Sequence, residues 1–180
     1  MSNHHRVPFV VILLASLSLS GCGYSLAGRG SFLPDYIRTI GVPLFVNNTA
    51  VFDVEQVLTE RVRSELIGRG RYTVQPDRTG VDAVLLGEIQ SVTLNVAAFD
   101  QQQQATRYAL TVSVKVEFRD VKTDKILWSN PAWQFTEQFD VTTATTGLDA
   151  SAFLGQDQNA LQRLSAEFAR ALVSAILEAF

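Results

Sequence analysis

The chain is nearly empty of the side chains that most often bind metals or do nucleophilic chemistry. It has one cysteine, Cys22, and two histidines, His4 and His5, in 180 residues. A lone thiol cannot close an intramolecular disulfide. With both imidazoles at the extreme N-terminus, the usual His/Cys metal sets, the Ser-His-Asp triad and Cys-His catalysis have no residues to draw on. Glycine-rich phosphate loops are missing too, because Gly28-Arg29-Gly30 and Gly68-Arg69-Gly70 lack the required spacing. Glu88 and Glu117 fall within strand-like segments, yet neither pairs with a second carboxylate inside an apolar run, so both read as solvent-facing or edge residues. An excess of positive charge is also lacking. With 15 basic and 18 acidic side chains the net charge is −3, which argues against a general nucleic-acid binder. Together these absences exclude the common enzyme classes and predict a protein with neither cofactor nor metal.

What is present begins with an apolar opening. His4, His5 and Arg6 precede a run over 7–19 that is apolar apart from Ser16 and Ser18 and contains Pro8. Thirteen residues are too few to span a bilayer, and small residues follow, as in an export signal. Leu19-Ser20-Gly21-Cys22 matches the bacterial lipobox, Leu-small-small-Cys. Small side chains fit the peptidase site, and cutting before Cys22 frees its amine for an N-acyl group beside the thiol that carries the S-diacylglycerol group. The alternative is a plain secretory signal with an incidental cysteine. Lipidation would anchor the chain to a membrane without spanning it, at about 0.8 kcal/mol per buried CH₂. Gly23, where an Asp would favour inner-membrane retention in enteric bacteria, points to the outer membrane. Removal of Arg6 with the signal leaves 14 of the 15 basic side chains against 18 acidic ones, a net charge of −4 over 159 residues. That length suits one domain with a real core. The predicted organisation is a signal over 1–21, a lipidated tether over 22–36 and a single domain over 37–180.

Within the domain, 37–45 reads as a strand in which Ile40, Val42 and Leu44 alternate with Thr39, Gly41 and Pro43. Pro43 offers no N–H, so the strand should lie at an edge or end there. Over 53–67 Val54, Val57, Leu58, Val62 and Leu66 give one helical face, with Asp53 placed to cap it and Gly68 to stop it. Arg61, Arg63, Arg69 and Arg71 could touch lipid phosphates, but acids interleaved among them favour a solvated face. A short extended piece over 72–75 precedes a long strand over 83–99. Asp100 and the glutamines at 101–104 then form an apolar-free tip. The clearest strand follows: Tyr108, Leu110, Val112, Val114, Val116 and Phe118 face one way, and Ala109 to Arg119 at odd positions the other. The two arms make a hairpin of about 40–50 Å, and a helix packed on its base would leave the tip projecting. A strand over 126–139, broken at Asn130-Pro131, carries Trp128, Trp133, Phe135 and Phe139 as core aromatics. The Thr-, Ala- and Gly-rich stretch over 140–156 has no period and reads as a long loop, whose Leu148, Phe153 and Leu154 could dock on the domain or on a partner. A helix over 157–180 closes the chain, with Leu161, Leu164, Phe168, Leu172 and Ile176 as its stripe and Asp157 as a possible cap. The economical solution is an α/β (α+β) two-layer sandwich: a mixed sheet of about four strands with two helices packed on one face. If the first strand pairs in parallel with the one beginning at Ala83, the default connection is a right-handed crossover.

In order along the chain, several pieces resemble the lipopolysaccharide-assembly lipoprotein family. They are Gly21-Cys22-Gly23-Tyr24-Ser25-Leu26, then Ile40-Gly41-Val42-Pro43-Leu44-Phe45-Val46-Asn47-Asn48-Thr49, then Gly68-Arg69-Gly70-Arg71-Tyr72. Next come Ala83-Val84-Leu85-Leu86-Gly87-Glu88-Ile89, Arg107-Tyr108, and the run from Asp120 to Trp128. The resemblance implies a non-enzymatic outer-membrane lipoprotein that plugs the β-barrel of the lipopolysaccharide translocon and assists its assembly. It also implies binding of lipopolysaccharide for delivery to the outer leaflet. The lipid anchor would be Cys22, with the domain on the periplasmic side and within the barrel. One departure stands out. Relatives are proposed to meet the lipid's phosphates with basic residues near the hairpin tip and in the loop after the last strand. Here the tip is Asp100 and glutamines, and 140–156 has no Lys or Arg. Arg107, Lys115 and Arg119 remain as the candidate lipopolysaccharide contacts. The competing reading is an auxiliary lipoprotein of another envelope lipid or solute transporter.

Overall fold

Proline and glycine decide how the first strand is built. The computed structural model describes residues 33–140, 149–156 and 158–179, all within the compact unit Ser31–Phe180. Cys22, the signal, Leu148 and Asp157 lie outside the described residues. The segment expected as one strand over 37–45 forms two short ones, β1 (Thr39–Gly41) and β2 (Val46–Asn47). Pro43, which cannot donate to a ladder, stands between them. Of the two outcomes expected at Pro43, the strand ends and does not become an edge: β1 lies between β3 (Thr73–Gln75) and β4 (Ala83–Phe99), parallel to both. β2 then rejoins β4 further along the same side, pairing Val46 with Glu88 and Asn47 with Ile89.

Helix α1 (Val54–Gly68) crosses from β2 to β3 and buries Val54, Leu58, Thr59, Val62 and Leu66. Asp53 does not cap it with its side chain. It sits at φ 62 in the left-handed region, and its carbonyl instead accepts from Val57 N at 3.1 Å. Strands β4, β5 (Ala105–Asp120) and β6 (Ile126–Asp140) follow as an antiparallel meander. The sheet therefore has six strands in the order β3-β1-β4-β5-β6, with β2 on β4, not about four. The two extra strands are β2, split off at Pro43, and the three-residue β3. The mixed character and α+β class stand.

The predicted loop over 140–156 contains a helix, α2 (Ala150–Gln156), and α3 (Gln158–Leu177) ends the described chain. Phe153 and Leu154 dock on the domain and are buried. Phe153 packs on Tyr108 and Phe139, with ring centroids 6.1 and 5.6 Å apart. Because Tyr108 pairs with Val96 near the hairpin's end, the core runs almost the whole length of β5. Val96 and Phe99 at the end of β4 stand clear of it together with the tip at 100–104, so the end of the hairpin projects, though by less than a helix packed on its base alone would leave. Along α3, Leu164, Phe168, Leu172 and Ile176 are buried and Leu161 is partly so. Phe168 meets Phe135 edge-on at 6.4 Å. The arginines of α1 do more than face solvent: Arg61 reaches Gln162 (2.7 Å) and Arg69 reaches Ser174 (2.8 Å) on α3, while Arg63 Nε donates to the Val42 carbonyl (2.9 Å).

Candidate functional surface

Strand β5 sorts its side chains by parity, and this creates two unlike faces. Even positions from Tyr108 to Phe118 are buried beneath the helices. Odd positions form an open face with their partners on β4 and β6. At its base the open face is charged. Arg119 bonds Glu117 (2.8 Å) and Asp124 (2.6 Å), and Lys115 stands 3.8 Å from Glu88. The two carboxylates raise the affinity of the Arg119 guanidinium for its proton, Asp124 first. Beyond that row the charges stop. The next three rows are Ser91–Ser113–Gln134, Thr93–Thr111–Thr136 and Asn95–Ala109–Gln138. All carry hydroxyls, amides or methyls, and Thr111 and Thr136 share a hydrogen bond of 2.8 Å. Charge returns only with Arg107, whose Nε lies 2.8 Å from Asp140.

The three candidate lipopolysaccharide contacts are thus on one face but do not converge. Eight residues of strand separate Arg107 from Lys115, about 26 Å, and four more, about 13 Å, reach Arg119. Each already has a carboxylate partner. These are exposed, solvent-screened pairs of little net energy, so an anionic ligand could displace the carboxylates. A recess of about 190 Å³ on the same face, lined by Leu44, Val46 and Leu86 with Arg78 and Lys115 at its rim, is small beside the roughly 300–1,000 Å³ of small-molecule sites. The lipid-attachment residue, Cys22, lies outside the described residues.

Sequence reasoning missed a second cluster at the base of the sheet. Asp120, buried, accepts from the Tyr36 hydroxyl and from Lys122 N (2.8 Å). Asp82 accepts from Arg38 N and Thr39 N, both at 3.0 Å, and pairs with Lys122 at 3.0 Å. Backbone donation from Arg38, then Lys122, holds Asp82 down at about 2. The Tyr36 hydroxyl lowers Asp120 in the same direction. This network fastens Leu33 to Ile37, both buried, to the far ends of β4 and β5. The signal for it was only the Asp at either end of two strands.

Two solved structures share the fold. Protein XCC0632 from Xanthomonas campestris superposes with a TM-score of 0.57 at 11% identity, over 84% of this chain and 89% of that one. The rare lipoprotein B from Shewanella oneidensis does so at 0.50 and 13% identity, over 77% and 93%. At such identities the likeness concerns the fold alone. No curated protein matches the chain in sequence. A family model described as lipopolysaccharide-assembly (LptE) matches residues 37–176, nearly the whole domain, including the charged and uncharged rows of the open face. The chain belongs to the lipopolysaccharide-assembly (LptE) family, non-enzymatic lipoproteins of lipopolysaccharide transport.

Proposed function

We propose that this chain is an outer-membrane lipoprotein, acylated at Cys22, that plugs and assists assembly of the lipopolysaccharide translocon β-barrel. In this reading it also binds lipopolysaccharide for delivery to the outer leaflet, with Arg107, Lys115 and Arg119 meeting the lipid's anionic groups. The family match over 37–176 carries the reading. The lipobox at Leu19-Ser20-Gly21-Cys22 supports the anchor. The rigid sheet, covered by helices on one face only, is the kind of body a barrel lumen could hold.

Purification of the full chain under mild detergent tests it. The expected main partner is one large, heat-modifiable outer-membrane barrel, and the expected mature N-terminus is an acylated Cys22. Recovery in an inner-membrane complex would favour the auxiliary transporter subunit instead. An unmodified Cys22 would remove the anchor.

A further inference from the structure

Among the described residues, and besides the two-residue β2, three stretches of this sheet face no further strand, and they differ in how they are protected. β3 is only three residues long. β6 carries Pro131 midway and Glu137 and Asp140 beyond it. Short length, proline and charge are the ordinary means of keeping foreign strands off an exposed edge. The third edge is the outer half of β4. On this side β1 and β2 pair with β4 only as far as Ile89, and the last bond there is Asn48 N to Ile89 O at 3.0 Å. Among the described residues nothing pairs with that side from Gln90 to Phe99. The run Gln90-Ser91-Val92-Thr93-Leu94-Asn95-Val96-Ala97-Ala98-Phe99 holds no charge and no proline. Register shifts at Gln90 and Ala97 bracket a regular stretch, Ser91 to Val96, about 20 Å long.

Backbone N–H and C=O groups left on such an edge recognise one kind of ligand, another extended backbone. A second observation marks the same end of the sheet. The open face over these residues is the uncharged part, whereas the same face is charged at its base. Charge is depleted at the centres of protein interfaces.

We infer that the β4 edge from Ser91 to Val96 accepts an added strand from the barrel partner. This rests on the barrel reading above and specifies where the plug is gripped. A closed barrel wall has no free edge of its own, so the strand must be a luminal loop or a terminal segment of the barrel protein. The absence of charge on β4 calls for an uncharged segment rich in β-branched or small residues.

Hydrogen exchange read by mass spectrometry, on the full chain alone and co-purified with its barrel, tests this. In the free chain, the outward amides of the peptide covering residues 91–99 exchange fast. In the complex they slow at least about 10-fold, while the Ala132–Asp140 stretch of β6 does not change. Thr93→Lys and Asn95→Lys, both at exposed positions, lower barrel recovery at least about 10-fold, and Ser129→Lys, exposed on β6 opposite Glu117 at the charged base, does not. If the barrel co-purifies and these amides stay fast, the strand inference is overturned and the barrel reading survives. Failure of the wild-type chain to recover any barrel overturns both. Slow amides in the free chain, together with a dimeric mass by light scattering, assign the edge to a second copy and also overturn the inference.

Discussion

Gly87 shows how little room the backbone leaves at one point of the sheet. A methyl group there would lie 2.6 Å from the Phe45 ring, which is itself buried and fixed by Phe45 N donating to the Thr59 hydroxyl at 3.0 Å. Gly87→Ala should therefore cost about 1–3 kcal/mol through forced displacement of the ring, read from the urea midpoint at constant slope. Gly41→Ala should cost at least as much, because the obstacle 2.3 Å away is the Asp77 carbonyl, which is backbone and cannot rotate aside. Protonation at the base of the sheet gives a separate prediction. Asp82 titrates at about 2 when folded against an ordinary value of 3.8. A depressed carboxylate contributes stability that is complete above about pH 4 and is lost as pH falls toward 2. Asp120 is shifted the same way. Unfolding midpoints measured from pH 5 to 2 should fall steeply, and Asp82→Asn should start lower and fall less.

At the scale of elements, α2 depends on a few docked side chains. Its sequence, Ala-Ser-Ala-Phe-Leu-Gly-Gln, is too short to be helical alone, so burial of Leu154 and docking of Phe153 between Tyr108 and Phe139 must supply most of its stability. Phe153→Ala should cost about 3–5 kcal/mol and speed proteolytic cleavage near Ala150 before cleavage elsewhere. This dependence explains why the helix could not be read from the chain. Its evidence is tertiary, and no periodicity fits in seven residues. β5 is the opposite case: eleven alternating residues announced both of its faces, and the structure keeps them. The long β4, β6 and both long helices were legible within a few residues for the same reason. β3 was legible as the short extended piece over 72–75, but β2 was not, because a strand of two residues owes its existence to β4 beside it. The candidate cations could be placed on one face by parity alone. Their carboxylate partners Asp140 and Glu88 belong to other strands and follow only from register. The unguarded edge was equally hidden, since it depends on where β2 leaves β4.

For the whole molecule, the open face sets how anionic lipid could be held. Arg107, Lys115 and Arg119 span about 40 Å of β5 and each is shared with a carboxylate, so any one of them alone should matter little. Reversal of all three to Glu should weaken lipopolysaccharide binding by about tenfold or more, equivalent to roughly 1.4 kcal/mol, and should reduce its salt dependence. Unchanged binding would remove all three from the site. Barrel recovery by the same variant should be preserved, because the uncharged rows and the β4 edge are untouched.

The position of β1 governs the order in which this chain can assemble. It lies in the interior of the sheet, yet both of its neighbours come later in the sequence, β3 from Thr73 and β4 from Ala83. The β4–β5–β6 meander, by contrast, pairs only neighbours in sequence. Closure of the longer loops comes at greater entropic cost, so the meander should form before β1 is captured. The N-terminal end of the domain then joins a preformed meander, and Tyr36 reaching Asp120 is the clasp that fastens it to the far end of β5.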